Sequence, residues 1–320
     1  TAQMNYLSQL KTYTSVVADT GNVETIQHFH PDDATTNPSL VLKAVESGAY
    51  NHLLKQVIEW ASVIDVPKRE MIEHATDRLV VLLGCEIIKI IPGRVSTEIR
   101  ADLSFDVDKS VTKARVLCGY YEEMGFSKSR VLIKLAATWE GIQAAKILEA
   151  EGIKCNLTLV FNLTQAKACA DAGVFLISPF VGRVLDWYKK KFPSVSYAED
   201  QEPGVLFVNE VCSYYRQYQY KTLVMGASFR NIGEILALAN CDRLTISPAL
   251  LSELEQSEGE LAVPTNRIEF SNSVPTHTSV NQFRWGMNED PMATEKLAEG
   301  IRIFNQDQGR LEAIIANMLP

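Results

Sequence analysis

Residues 130–180 constrain the fold more than any other part of the sequence, because short apolar runs alternate there with amphipathic segments. VLIKLA (131–136) is an almost continuous apolar run, as expected of a buried parallel strand. A helical segment follows, and CNLTLVF (155–161) is the next strand. A short alanine-rich helix leads to a third apolar run, VFLISPFV (174–181). Two successive strand–helix–strand units with short loops predict a parallel sheet with right-handed crossovers.

The same alternation continues on both sides of this stretch. We predict eight strands, at 14–20, 33–36, 94–99, 131–136, 155–161, 174–180, 222–228 and 243–247. A helical insertion covers about residues 39–84, and a polar loop (256–281) precedes C-terminal helices at 291–304 and in the final segment to Met318. Eight strands interleaved with helices predict an α/β fold, a single (β/α)₈ TIM barrel over 1–320. The alternative is a doubly wound open sheet, whose usual glycine-rich turn is absent from ADTGN after the first strand.

Composition argues against several classes of partner. The 31 basic and 39 acidic residues give a net charge of −8, which disfavours nucleic acid or an anionic membrane as the main partner. Six cysteines lie without close pairing and five histidines lack HExxH spacing, so we expect reduced thiols in a cytoplasmic protein and no zinc site. We also expect neither a secretory signal nor a membrane-spanning segment.

Lys134 is the most informative polar residue at a predicted strand, because reactive groups of a barrel lie at the C-terminal ends of its strands. Apolar residues flank it on both sides. An apolar environment disfavours the charged form of an amine and frees it as a nucleophile for carbonyls. The alternative is a lysine that snorkels to a strand edge or pairs with a buried carboxylate. Lysines are almost never fully buried without a partner or a task, so we favour a functional role.

Two carboxylates and four neutral polar groups also lie at predicted strand ends. Asp19 ends the first strand and Glu98 lies near the end of the third, where one could act as general acid/base and the other could position water. The alternative is that each caps a helix or pairs with a basic residue. Neutral groups that suit a hydroxyl-rich substrate are Asn37, Asn156, Thr158 and Ser178. Turn or capping roles are the alternative, above all for Asn37 before Pro38.

A phosphate site is predicted after the seventh strand. Ser228 and Arg230 leave that strand in GASFRN and open a helix. A helix N-terminus with an arginine binds phosphate, and barrels commonly do so at strands seven and eight. Arg183, just beyond the sixth strand, would join this site. The alternative is that these arginines pair with nearby acids on the surface.

Together these segments resemble the transaldolase family, the class I aldolases of the pentose phosphate pathway, in its classical bacterial and animal subfamily. The matching stretches are VVADTG (16–21), DATTNPSL (33–40), RVSTE (94–98), RVLIKLAATWEGI (130–142), CNLTLVF (155–161), AGVFLISPFVGRVLDWY (172–188), VMGASFRNIGEI (224–235), CDRLTISPALL (241–251) and DPMATEKLAEGI (290–301). ATTNPS and the lysine strand followed by TWEGI are, in combination, specific to this family. The resemblance implies a circularly permuted aldolase barrel with a Schiff-base lysine on the fourth strand, and no cofactor or metal.

The resemblance also implies a role for each candidate residue. Lys134 would form an imine with a ketose phosphate, and Asp19 would move the proton at the cleaved bond. Glu98 would shuttle protons through a water held with Thr158, and Phe180 would line the pocket and exclude water. The dihydroxyacetone portion would be held by Asn37, Asn156 and Ser178. The phosphate would be bound by Arg183, Ser228 and Arg230.

The implied reaction moves a dihydroxyacetone unit from sedoheptulose 7-phosphate to glyceraldehyde 3-phosphate, giving erythrose 4-phosphate and fructose 6-phosphate. The resemblance further implies a homodimer. Two alternatives stay open. One is a fructose 6-phosphate aldolase, which releases free dihydroxyacetone; such relatives are shorter and tend to carry Tyr where this chain has Phe180. The other is a barrel that has lost activity and serves as a binding or regulatory protein.

One departure from the family pattern lies close to Glu98. The family usually reads V-D-A-R-L-S after this glutamate, whereas residues 99–104 read IRADLS. Acid and base are therefore exchanged at Arg100 and Asp102. If the two residues pair with each other, the exchange keeps the ion pair. If either pairs elsewhere or faces the pocket, it reverses the local charge near Glu98.

Overall fold

The strands of the computed structural model close into a parallel barrel whose strand order follows the sequence. The structure describes residues 4–264 and 269–320. The strands are β1 (Ser15–Asp19), β2 (Asp33–Thr35), β3 (Val95–Glu98), β4 (Val131–Ala136), β5 (Cys155–Val160), β6 (Leu176–Pro179), β7 (Leu223–Gly226) and β8 (Arg243–Ile246). β8 pairs with β1 and closes the ring. The predicted (β/α)₈ barrel is confirmed, and each strand end lies within two residues of its predicted position.

Fourteen α-helices of the described residues surround the barrel or extend it. They are α1 (Tyr6–Leu10), α2 (Val23–Phe29), α3 (Pro38–Glu46), α4 (Asn51–Ser62), α5 (Lys68–Ile88), α6 (Val107–Glu123), α7 (Trp139–Ala150), α8 (Leu163–Asp171), α9 (Gly182–Lys191), α10 (Pro203–Gln217), α11 (Ile232–Ala237), α12 (Pro248–Gln256), α13 (Val280–Asn288) and α14 (Pro291–Met318). The predicted insertion over residues 39–84 consists of α3, α4 and α5. The predicted polar loop connects α12 with α13, and its residues 265–268 lie outside the described part of the chain.

The two predicted C-terminal segments form one continuous helix, α14, of 28 residues. Buried side chains recur along it at intervals of three or four residues, which is the spacing of one face of a helix. They include Leu297, Ile301, Phe304, Gln308, Leu311 and Ile315. Because this buried face does not break after Phe304, the polar residues that follow do not end the helix. α14 packs against α3, α5, α9 and β5, so it runs across the helical layer rather than adding a separate unit.

The N-terminal end of the barrel is closed by the Phe175 ring and charged residues around it. The cationic groups of Arg94, Lys154 and Arg243 lie 5.0, 4.5 and 5.6 Å from the ring centre. Asp33 accepts a hydrogen bond of 2.9 Å from the Arg94 amide and one of 2.6 Å from Arg243 Nη1. At this end Arg243 and Asp33 therefore form an ion pair, and the Arg94 and Lys154 charges lie against the Phe175 ring.

Most apolar side chains lie between the strands and the helices in one continuous core. All six cysteines are buried and free of disulfide bonds. No helix in the described residues is long and apolar enough to cross a membrane.

Candidate active site

Lys134 lies in the middle of β4, where its neighbours in register are Glu98 on β3 and Asn156 on β5. Its side chain is only 6% exposed. Nζ donates a hydrogen bond of 3.2 Å to the backbone carbonyl of Thr36 and lies 3.5 Å from Glu98 Oε1. The buried lysine therefore has a carboxyl group beside it, on the neighbouring strand.

Glu98 is poised to exchange protons near neutral pH. Burial raises its pKa to about 7, although the charge of Lys134 acts in the opposite direction. Glu98 Oε1 and Thr158 Oγ1 are both buried and have no hydrogen-bond partner among the described residues. Since buried polar groups of folded proteins are nearly always hydrogen-bonded, both atoms are available to a molecule that enters the site.

Asp19 is a second buried carboxyl group, at the end of β1. Its Oδ1 accepts a hydrogen bond of 2.9 Å from Thr35 Oγ1, and that hydroxyl lies 2.6 Å from Thr245 Oγ1. Burial raises the pKa of Asp19, while the charge of Lys134 lowers it. A buried aspartate that accepts a hydrogen bond from a hydroxyl and feels the charge of a nearby amine can take up and release a proton during a reaction.

One cavity of about 170 Å³ brings most of the predicted residues together at the C-terminal end of the barrel. Eight of the eleven line it: Asp19, Asn37, Lys134, Ser178, Phe180, Arg183, Ser228 and Arg230. The other three predicted residues, Glu98, Asn156 and Thr158, lie on the neighbouring strands β3 and β5. Thr245 and Ser247 also line the cavity, and the sequence analysis missed both. Both lie at the end of β8 in RLTIS. They could have been found in the same way as the other candidates, as polar residues at the end of a predicted strand.

Two of the four neutral polar residues, Asn156 and Ser178, are hydrogen-bonded to each other beside the cavity. Ser178 Oγ donates to Asn156 Oδ1 over 2.7 Å, and Asn156 Nδ2 donates to Ser96 Oγ over 3.2 Å. Asn37 caps α3, because its side chain accepts a hydrogen bond of 2.9 Å from the Leu40 amide. The capping alternative is thus correct for Asn37, and the residue nevertheless lines the cavity.

Arg183 brings a half-buried positive charge to the cavity. Its guanidinium lies 5.0 Å from the centre of the Phe180 ring and 5.5 Å from that of Phe304, on α14. Nη1 is buried and has no hydrogen-bond partner among the described residues. Burial, together with the charge of Arg230, lowers the pKa of Arg183. An arginine in this state gains from an anion that arrives in the cavity.

Ser228 and Arg230 lie in a tight loop between β7 and α11. Ser228 has a left-handed backbone with φ 59°, and its carbonyl accepts a hydrogen bond of 2.6 Å from the Gly182 amide. A Cβ atom on Gly182 would lie 2.2 Å from that carbonyl oxygen, so only glycine permits this approach. The Arg230 guanidinium donates to Asp186, with 2.7 Å between Nη2 and Oδ2, as in the alternative of a paired surface arginine. It also lines the cavity.

The exchanged pair near Glu98 is an ion pair. Arg100 donates to both carboxylate oxygens of Asp102, over 3.1 Å each, and also contacts Glu312 on α14. Although burial acts against it, the two carboxylates raise the pKa of Arg100 above its usual value. Both alternatives hold in part: the two residues pair with each other, and Arg100 also pairs elsewhere, with Glu312 on α14.

Comparison with known proteins gives matches over nearly the whole chain. A model of the family described as "Transaldolase/Fructose-6-phosphate aldolase" matches residues 16–315. A protein named transaldolase from Shewanella sp. (strain W3-18-1) is 55% identical over 311 residues, which cover 97% of this chain and 98% of that protein. A transaldolase of Vibrio cholerae serotype O1 (strain ATCC 39541 / Classical Ogawa 395 / O395) is 55% identical over 315 residues, 98% of this chain and 99% of that protein.

Proposed function

The chain belongs to the transaldolase/fructose-6-phosphate aldolase family, and from this premise we propose that Lys134 carries its reaction as a Schiff base. The function is that of a transaldolase, a transferase that moves a dihydroxyacetone unit from sedoheptulose 7-phosphate to glyceraldehyde 3-phosphate in the non-oxidative pentose phosphate pathway. The observation that carries the assignment of Lys134 is its burial beside a carboxyl group whose pKa is about 7.

Imine formation requires an amine and a group that moves protons. The Glu98 carboxylate takes a proton from the Lys134 ammonium, and the neutral amine attacks the ketose carbonyl carbon. Glu98 then returns the proton to the former carbonyl oxygen, which leaves as water and gives the protonated imine. Glu98 suits the proton transfers, because a group with a pKa near 7 is both a competent acid and a competent base at neutral pH. Thr158, whose hydroxyl has no partner among the described residues, would hold the water that links it to the reacting atoms.

Carbon–carbon cleavage requires a base at the hydroxyl of the neighbouring carbon. Asp19 takes that proton, the bonding electrons move to the protonated imine, and erythrose 4-phosphate leaves while a three-carbon enamine stays on Lys134. The enamine then attacks the aldehyde of glyceraldehyde 3-phosphate, and Asp19 returns the proton. Hydrolysis of the new imine releases fructose 6-phosphate. The hydrogen bond from Thr35 keeps the Asp19 carboxyl oriented while its charge changes.

Substrate binding is assigned to the two sides of the cavity. Asn37, Asn156 and Ser178 would hold the hydroxyl groups of the dihydroxyacetone portion. Arg183, Ser228 and Arg230 would bind the phosphate. Phe180 lines the cavity and packs edge-on against Phe161, with 5.6 Å between ring centres. This apolar ring would limit the access of water to the enamine. Retention of the enamine favours transfer over release of free dihydroxyacetone.

We also propose that residues 1–320 act as one domain, that the protein is cytoplasmic, and that it is a homodimer. The continuous core supports the first, and six buried free cysteines suit a reducing compartment. The homodimer rests on the resemblance to the family. Light scattering coupled to size-exclusion chromatography tests it, and a monomeric mass at micromolar concentration would exclude it.

The decisive experiment traps the intermediate. The protein is incubated with fructose 6-phosphate and borohydride, with and without erythrose 4-phosphate, and modified peptides are identified by mass spectrometry. We expect a reduced three-carbon adduct on Lys134 that the aldehyde prevents, because transfer to erythrose 4-phosphate empties the lysine. An adduct on another lysine would refute the assignment. An adduct that survives the aldehyde, together with free dihydroxyacetone in solution, would indicate an aldolase instead. Lys134→Met serves as the control that cannot form the adduct.

A further inference from the structure

Glu234 is fully buried in the first turn of α11, yet the reaction above gives it no part. Its Oε1 accepts a hydrogen bond of 2.6 Å from the backbone amide of Arg230. Its own amide donates to Asn231 Oδ1 over 2.8 Å. The carboxyl group therefore ties down the backbone of the loop that carries Ser228 and Arg230 to the cavity.

A second carboxyl group, that of Glu202 at the start of α10, meets Glu234 inside the protein. Glu202 is 8% exposed, and Asn231 Nδ2 donates to its Oε1 over 3.4 Å. The two carboxyl groups are within hydrogen-bonding reach of each other, and Oε2 of each is buried without a donor among the described residues. Two carboxylates within hydrogen-bonding reach of each other repel when both are ionised. A proton on one of them removes this repulsion and supplies the missing donor. Burial and the hydrogen bond to Glu202 raise the pKa of Glu234 to about 8.

The other charged groups around this pair do not replace the proton. Glu199 approaches from the short turn before α10, where its Cδ lies 2.6 Å from the Cβ position of Gly233 and adds a third acid. The Arg230 guanidinium donates to Asp186 on α9, whereas Glu234 accepts only from the backbone amide of Arg230. Arg183 lies on the cavity side of the loop.

We propose that Glu234 is a positioning residue of the phosphate site, which holds the Ser228–Arg230 loop in its binding conformation while the Glu202–Glu234 pair keeps one proton. The inference rests on the proposed phosphate role of Ser228, Arg183 and Arg230. When the proton is lost at alkaline pH, two buried negative charges repel each other and the loop is displaced. The additional negative charge also opposes the phosphate that approaches the cavity. Substrate affinity therefore falls as the pH rises through the pKa of Glu234.

The test measures KM and kcat for fructose 6-phosphate between about pH 6.5 and 9.5, where the substrate phosphate stays mostly dianionic. In the unchanged protein we expect KM to rise above about pH 8. Glu234→Gln copies the protonated acid, because its amide oxygen accepts from Arg230 and its amide nitrogen donates to Glu202. The rise of KM above about pH 8 should therefore be absent from this variant. Glu234→Ala removes the tie, so KM should be raised roughly tenfold at every pH while kcat changes much less.

Two further variants make the outcomes distinguishable. Glu199→Gln removes the charge of the third nearby acid but leaves the hydrogen bond between Glu234 and the Arg230 amide. This variant should therefore keep the pH dependence of the unchanged protein. Arg230→Ala tests the phosphate site itself and should raise KM at every pH. If Arg230→Ala raises KM while Glu234→Gln retains the alkaline rise, the inference about Glu234 is wrong and the phosphate site stands. If Arg230→Ala leaves KM unchanged, both are wrong. Should Glu234→Ala fail to fold, the Gln variant alone decides.

Discussion

The two ends of this barrel treat their charged residues in opposite ways. At the N-terminal end, Asp33 is hydrogen-bonded to both Arg94 and Arg243, and the arginines lie against the Phe175 ring. At the C-terminal end, Lys134 and its neighbours are more deeply buried but less well satisfied. Within the described part of the chain, buried polar atoms there without a hydrogen-bond partner belong to Glu98, Thr158 and Arg183.

This difference separates stability from chemistry within one fold. A paired charge network contributes to stability, whereas each buried polar atom without a partner costs roughly 1–3 kcal/mol. In barrels the catalytic groups lie at the C-terminal ends of the strands, and the opposite end mainly serves stability. We therefore expect changes at the N-terminal end to alter the free energy of unfolding and changes at the C-terminal end to alter the rate.

The largest effect is expected from Lys134→Met. The variant cannot form the imine, so kcat should fall by at least roughly 10⁴-fold. The free energy of unfolding, measured in urea near neutral pH, should stay within about 1 kcal/mol of the unchanged protein or rise. Without the amine the pKa values of Glu98 and Asp19 rise further, so both carboxyl groups take up a proton and no unpaired buried charge is left. A loss of stability as large as that expected at the other end of the barrel would contradict the comparison.

Glu98→Gln is expected to have the next largest effect. The variant lacks the proton carrier, so imine formation should slow roughly 10²–10³-fold. In the unchanged protein, single-turnover borohydride trapping should become faster as the pH rises through about 7, because the carboxylate is the base. The variant should lose this dependence. An unaltered pH profile would mean that another group moves the proton.

The same variant also reports on stability. The pKa of Glu98 is about 7 in the folded protein, above its ordinary value of 4.5, so the folded state binds the proton more tightly than the unfolded state. The unchanged protein therefore loses stability as the pH rises between these values, and Glu98→Gln does not. The variant should gain on the unchanged protein by about 1–3 kcal/mol over this interval.

At the N-terminal end, Arg243→Met should lower the free energy of unfolding by roughly 2–4 kcal/mol, because it leaves Asp33 without its charged partner. The activity of the folded fraction should stay within about twofold, since the change lies at the end of the barrel that does not carry the cavity. Adding Asp33→Asn should restore part of the lost stability. Arg310→Met is the matched control on the surface, where its ion pair with Asp307 is 69% exposed on the arginine side. It should change stability by less than about 0.5 kcal/mol.

The smallest effect is expected from exchanging Arg100→Asp with Asp102→Arg. This places a carboxylate beside Glu312, so stability should fall by about 1 kcal/mol, more at low than at high salt. The rate should stay unchanged, because the residues pair with each other and with α14. Adding Glu312→Lys should restore stability. A large change in kcat would show that this pair belongs with the reacting groups.

Much of the fold and of the site follows from local sequence patterns. The strands are apolar runs between helical segments, and the polar residues at their ends converge because parallel strands of a barrel all end on one side. The partners of these residues are less visible. Glu312 is 212 positions from Arg100, and no local pattern connects them. The Ser178–Asn156 hydrogen bond likewise depends on the register of two strands.

The sequence also does not predict the irregular backbone within β5. Leu159 has a left-handed backbone with φ 57°, and the register between β5 and β6 shifts over this stretch. The irregularity directly follows Thr158 in the chain. Irregularities of this kind are found beside active sites. A leucine within an apolar run predicts a regular strand, so the sequence does not reveal this one.

The long helix α14 has a consequence for the time at which the protein becomes active. All eight strands precede it in the chain, yet its Phe304 lies against Arg183 in the cavity and its Glu312 contacts Arg100. During translation the strands are made first, at about 5–20 residues per second, and α14 follows them. Until α14 docks, Arg183 lacks its contact with Phe304 and Arg100 lacks its partner Glu312. Docking of α14 would therefore be the step that completes the surroundings of the cavity.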